Sequence, residues 1–163
     1  EMCIRDSLKA SLHEIKGKSD QFTGEVNIGQ GSDHTGQVLI PTKKLTTGLD
    51  IRDNRMYDYV LQTEKYPIIT YKIRSIEGDV EGLDSGKGKG SITFHGTLQI
   101  ATMQKDISIK GGYEWDEATG EVKLGGKTTF LWTDFNLPDP SIQISTLFPP
   151  VNVKFVLKAK PSK

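Results

Sequence analysis

The chain has a single cysteine, Cys3, so neither a disulfide framework nor a multi-thiolate metal site is available to it. It lacks an excess of either charge: 21 basic residues face 21 acidic ones, which leaves no net electrostatic footprint for nucleic acid or an anionic membrane. No apolar run approaches the roughly 20 residues of a membrane-spanning helix. The three histidines, His13, His34 and His95, are far apart and fall in no metal-ligand spacing. A nucleophile elbow, a zinc-binding helix motif and a dinucleotide fingerprint are all missing. The stretch SGKGKGS comes nearest to a phosphate loop, but Gly88-Lys89 is followed by Gly90 rather than Ser or Thr. A strand pattern follows it, where a phosphate loop needs a helix N-terminus, so it reads as a flexible hairpin loop. Tyr and Trp are too dispersed for a base-stacking platform.

What the sequence does contain is alternation. With 17 Gly and 7 Pro in 163 residues, many turns are favoured over long helices, and the length suits one domain with a substantial core. Apolar residues alternate with polar ones through Ser11–Gly17, FTGEVNI, GQVLIP, PIITYKI, SITFHGTLQIA, KDISIKGGYEW, GEVKLGGKTTFLW and VNVKFVLKAK. GQGSDHTG reads as a turn and GDVEGLDSGKGKG as the least ordered segment. About eight strands at this spacing predict an all-β antiparallel barrel or sandwich.

One stretch breaks the alternation. In TTGLDIRDNRMYDYVLQTEKYP, Thr46 to Pro67, the pairs Met56/Val60 and Tyr57/Leu61 fall four apart, as on one helix face. Asp53 or Asn54 is the expected cap, and Pro67 enforces extended backbone at Tyr66. A short helix in an all-strand chain suggests a plug or lid.

The first residues, Glu1-Met2-Cys3-Ile4-Arg5-Asp6-Ser7, match the translation of a transposase adapter used in library construction (GAG ATG TGT ATA AGA GAC AG, then C or T). This divides the chain into a non-native 1–7 and a single domain over 8–163. It implies that a native signal peptide is lost and that the first strand is truncated or replaced by adapter residues.

Closing such a sheet hides its edges and turns the apolar face inward. An eight-stranded interior either fills with side chains or holds one ligand, and the pattern fits both. Inward-facing Gly24, Gly96 and Gly126 leave room or permit strong bending. Arg52-Asp53 reads as a structural cap with a surface ion pair, or as an anion clamp.

Thr47-Gly48, Arg52-Asp53, Met56, Leu61 and Lys65-Tyr66-Pro67 leading to Ile69 and Tyr71 carry a resemblance, over about Leu12 to Lys158, to the YceI-like family of lipocalin-like barrels. It continues in Gly96 to Ile100 with Lys105 and Ile107, in Trp132 to Phe135 with Pro138 to Pro140, and in the strand Val151 to Leu157. LHEIKGKS, from Leu12 to Ser19, resembles one branch. Arg55 stands where the family commonly has His, and Thr102 where a hairpin Gly is common. If that turn needs positive φ at Thr102, another turn type is expected.

The resemblance implies non-enzymatic binding or transport of a long apolar or amphipathic lipid, isoprenoid- or quinone-like, in a periplasmic or secreted bacterial protein. No cofactor, metal or nucleic acid is implied, and a homodimer is left open. The expected wall residues are Ile69, Tyr71, Phe94, Leu98, Ile107, Leu124, Phe130, Val153 and Phe155. Met56, Val60 and Leu61 would cap the opening, with Arg52 at the head group. Two alternatives stand beside this reading. One is an enzyme on a hydrophobic substrate, needing at least two of Arg52, Asp53 and His95 to converge on an apolar pocket. The other is a structural or stress-associated module with a filled core.

Overall fold

The computed structural model describes residues 3–10, 14–29, 34–142 and 145–161. Among the described residues, nine strands form one antiparallel sheet: β1 (Cys3–Ala10), β2 (Glu14–Ser19), β3 (Thr23–Asn27), β4 (Thr35–Pro41), β5 (Ile68–Gly78), β6 (Lys89–Ile100), β7 (Met103–Asp116), β8 (Glu121–Leu131) and β9 (Leu147–Ala159). Their order is β2-β1-β9-β8-β7-β6-β5-β4-β3. The two ends of that order, β2 and β3, follow each other directly in the chain. A single run of chain therefore pairs with β1 through its first half and with β4 through its second, which closes the barrel. A bridge between Lys18 and Thr46 supports the seam.

Eight of these strands are those of the alternation pattern; Ser11, Leu12 and His13 lie outside the described residues, as does half of the turn expected at GQGSDHTG. The ninth is β1. Of the stretch read as adapter-derived, Cys3 to Ser7 take part in the sheet: Ile4 is buried, and the five residues pair with β9. They form the first part of β1, which runs on to Ala10.

The helical insert starts earlier than its pattern predicts. α1 spans Asp50–Arg55 and runs into one π-type turn over Met56–Val60. Leu49 is the N-cap, without a side-chain bond. Asp53 lies inside the helix because its carboxylate is engaged elsewhere. Gln62, at φ +49°, ends the helical run well before Pro67.

A second helix, α2 (Val80–Asp84), stands in the segment expected to be least ordered. Asp79 caps it by accepting from the Gly82 amide (3.1 Å), and Tyr113 Oη donates to the same carboxylate (2.6 Å). That hydrogen bond raises the Tyr113 phenol to about 12. Trp115 Nε1 donates to the Leu83 carbonyl (3.0 Å), and Leu83 is buried among Ile76, Ile92, Tyr113 and Val122. α2 thus stoppers the barrel end opposite α1.

Gly96 and Gly126 do not leave room. A Cβ on Gly96 would stand 2.3 Å from the Lys72 carbonyl oxygen, and one on Gly126 would stand 2.7 Å from the Phe155 ring. Their role is close approach between neighbouring parts of the wall.

The hairpin between β6 and β7 resolves the question of Thr102. Positive φ falls on Ala101 (+52°), and Thr102 is spared. Left-handed backbone costs a non-glycine residue about 1–2 kcal/mol, of which Gly returns part through its greater unfolded freedom. Ala101→Gly should therefore stabilise the protein by about 1 kcal/mol, a rise of roughly 2–4 °C in thermal unfolding. A lower Tm would show that the turn carries no strain.

Candidate functional site: an apolar cavity inside the barrel

The alternating strands turn their apolar faces onto one cavity of about 170 Å³. All nine of the wall residues expected from the sequence line it: Ile69, Tyr71, Phe94, Leu98, Ile107, Leu124, Phe130, Val153 and Phe155. Further lining comes from Val26, Val38, Ile40, Ile73, Ile100, Ile109, Val151 and Leu157, which sit at the same alternate positions of their strands. Ile4 also lines the cavity and was passed over because its stretch was set aside. Phe22 and Leu45 complete the wall from outside the strands.

Among the described lining residues, two carry side-chain polar atoms, and both are already satisfied. Tyr71 Oη donates to the carbonyls of Ile107 (2.8 Å) and Phe94 (3.2 Å), and burial holds its pKa far above the ordinary phenol value. Thr128 Oγ1 donates to the Ser108 carbonyl (3.0 Å). The side chains thus offer an occupant a surface of hydrocarbon with no donor pointed at it. Buried polar groups without partners are costly, so such a space favours an apolar guest over water.

Two lids close the cavity. Towards α2, Leu83, Ile92, Tyr113 and Val122 form one buried cluster. Towards α1, Leu61, Ile69, Ile100 and Phe135 form the other, with Met56, Met103 and Phe130 packed against it. Phe130 and Phe135 meet edge to face at 5.3 Å between ring centroids. Leu61 and Met56 thus belong to the lid, while Val60 is half-buried and lines no part of the cavity.

Arg52 is not brought to the cavity. Its Nε donates to Thr47 Oγ1 (2.8 Å) and its Nη2 to the Thr47 carbonyl (2.9 Å). Asp53, in turn, accepts from Thr46 Oγ1 (2.5 Å), the Thr47 amide (2.8 Å) and Thr47 Oγ1. Burial works to raise this carboxyl, but those hydrogen bonds and the charge of Arg52 outweigh it and hold the group below its ordinary value. The pair is therefore a clasp on the loop that carries the Lys18–Thr46 seam, in place of the cap and surface ion pair expected. Arg55 acts as a strap: Nη2 donates to the Ser141 carbonyl (3.1 Å), with the guanidinium 4.8 Å over the Tyr59 ring. His95 sits on the outer wall, with Nδ1 2.8 Å from Ser108 Oγ and Nε2 3.1 Å from Glu77. The convergence that acid–base chemistry would require of Arg52, Asp53 and His95 is not formed. Among the described residues, no group of three or more His, Cys, Asp or Glu side chains is placed to hold a metal ion, and no helix is long and apolar enough to cross a membrane.

A family model described as the YceI-like domain matches residues 5–159. The chain belongs to the YceI-like family. Among solved structures, this YceI-like chain is similar to BcnA of Burkholderia cenocepacia at 16% identity, covering 98% of this chain and 96% of that one, with a TM-score of 0.79. It is also similar to a polyisoprenoid binding domain from Saccharophagus degradans implicated in plant cell wall breakdown (19% identity, 98% and 94% covered, TM-score 0.78). A third is the Campylobacter jejuni YceI protein (22% identity, 91% and 86% covered, TM-score 0.71). Comparison with curated proteins gives no match. At these identities the structural likeness shows a shared barrel fold.

Proposed function

We propose that this YceI-like protein binds or carries a lipid with a long apolar tail, isoprenoid- or quinone-like, by burying the tail inside the barrel. The observation that carries this is the cavity lining: its two side-chain polar groups are spent on backbone carbonyls, so the buried part of any guest is hydrocarbon. Each buried methylene contributes about 0.8 kcal/mol, without directional contacts. A dry apolar space of about 150 Å³ accepts a benzene-sized guest, so the present cavity seats a segment of chain and a full tail needs the lid to part. The flexible Met56 and Met103 beside the π-type turn favour entry at the α1 end. The likeness to a polyisoprenoid binding domain supports the isoprenoid class, and family membership supports an exported, non-catalytic role.

Extraction of the purified protein with organic solvent, followed by mass spectrometry, tests the reading. A chain lipid in near-stoichiometric amount is expected, either as purified or after incubation with a prenyl quinone. A folded protein that neither carries nor takes up any chain lipid would overturn it.

A further inference from the structure

The balanced total charge conceals a row of like charges on one wall, bordered on the β2 side by exposed Glu14 and Asp20. On the outer wall, cross-strand pairing places Lys18 opposite Arg5, Arg5 opposite Lys154, Lys154 opposite Lys127, and Lys127 opposite Lys110. Five cations thus stand in one register row across β2, β1, β9, β8 and β7, all of them exposed, spanning about 19 Å at the usual strand spacing. Among the described residues none of the five makes an ion pair. The flanking outward positions on β9, β8 and β7 are Asn152, Val156, Gly125, Thr129, Ser108 and Gly112, none acidic. Like charges directly opposite each other across strands are destabilising, so the row is carried at a cost to the fold.

A second feature lies towards the α1 end of the same barrel. Ile51 is 81% exposed and Leu49 52%, and Leu131 at the end of β8, Phe148 at the start of β9 and Ile142 between the two strands are exposed apolar residues of the same rim. Lys127 precedes Leu131 by four residues and Lys154 follows Phe148 by six, about 13 and 20 Å along the strands. With barrel strands tilted by about 35–45°, Lys127 and Lys154 stand about 10–15 Å above the rim. An interfacial apolar edge sinks about 5–10 Å into the boundary between head groups and acyl chains, which brings the cations to the phosphate layer.

We propose that this wall and rim dock the barrel on an anionic phospholipid surface, with the lysine row on the lipid phosphates and the α1 end turned into the bilayer. The choice of a membrane over another polyanion rests on the lipid-carrier reading together with the apolar rim, which a nucleic acid would leave uncovered. Docking in this pose presents the lid beside Met56 to the hydrocarbon from which a tail would enter.

Arg5 belongs to the stretch read as adapter-derived, so the test falls on the lysines. Co-sedimentation with vesicles of 30% phosphatidylglycerol in phosphatidylcholine should show binding that pure phosphatidylcholine vesicles do not, weakening as salt rises. Each cation at an anionic surface is worth about fivefold in affinity, so the double variant K127Q/K154Q should bind about 25-fold more weakly while melting at the same or a higher temperature. Ile51→Asn should lower vesicle binding about tenfold without affecting stability. The amount of extractable lipid in K127Q/K154Q is read separately: if it is unchanged while vesicle binding falls, docking and carriage are distinct and the proposal holds. Equal binding of wild type and K127Q/K154Q to anionic vesicles would overturn the proposal. So would tighter binding to a 20-base-pair DNA duplex than to vesicles at the same ionic strength, whatever the lipid content shows.

Discussion

Val153→Phe should abolish most lipid binding while leaving the barrel folded. Val153 lines the cavity from β9, opposite Thr128 on β8, and its side chain borders space that protein atoms do not fill. Core overpacking ordinarily costs 1–3 kcal/mol because it displaces neighbours. Here the added ring enters a cavity of about 170 Å³, so thermal stability should stay within about 1 kcal/mol of wild type. If the ring displaces about three methylenes of a buried tail, the loss is about 2.4 kcal/mol, or roughly 50-fold in affinity. Titration with a fluorescent prenyl or alkyl probe, alongside a melt, measures both. Unchanged affinity with an unchanged fold would place the lipid elsewhere.

Asp53→Ala should produce the largest loss of stability among truncations of charged side chains in the described residues. Asp53 is 6% exposed and accepts three hydrogen bonds from Thr46 and Thr47, the residues that hold the Lys18–Thr46 seam. Hydrogen bonds to a charged group contribute about 1.5–3 kcal/mol each, and they are not additive within one clasp. A net loss of about 3 kcal/mol is expected, which for a chain of this length lowers Tm by roughly 6–12 °C. The pH dependence follows from the depressed carboxyl. Its stabilisation is complete above the unfolded aspartate value of about 3.9 and is lost as pH falls through the lower folded value. Wild type should therefore lose stability more steeply than Asp53→Asn below about pH 4, as read by urea midpoints across pH. Parallel pH profiles would show that the carboxylate is not the clasp.

The barrel was legible in the sequence because period-two alternation reports directly on which face a strand buries. That is why the wall residues chosen on β5 through β9 line one cavity, from Ile69 to Phe155. Ile4 was hidden by the character of its stretch, since residues 1–7 read as foreign while Cys3 to Ser7 form part of a paired strand. α2 was hidden for a different reason. Five residues with a central Gly82 have little intrinsic tendency to form a helix, and its fixation comes from Tyr113 and Trp115, some thirty residues away. The insert was recognisable by its period, but the task of Asp53 was not: a carboxylate just ahead of a helical pattern looks like a cap, and only tertiary contact turns it towards Thr46 and Thr47. Net charge missed the lysine row because register, and not composition, sets which cations are neighbours.

The most direct test of the central claim is crystallography of the protein loaded with an alkyl or prenyl chain brominated near its middle. Anomalous peaks are expected inside the barrel, between the Phe94–Phe155 pair and Phe130, at an occupancy that falls in Val153→Phe. Bromine on the outer wall or at a crystal contact, with the interior empty under saturating chain, would contradict the account.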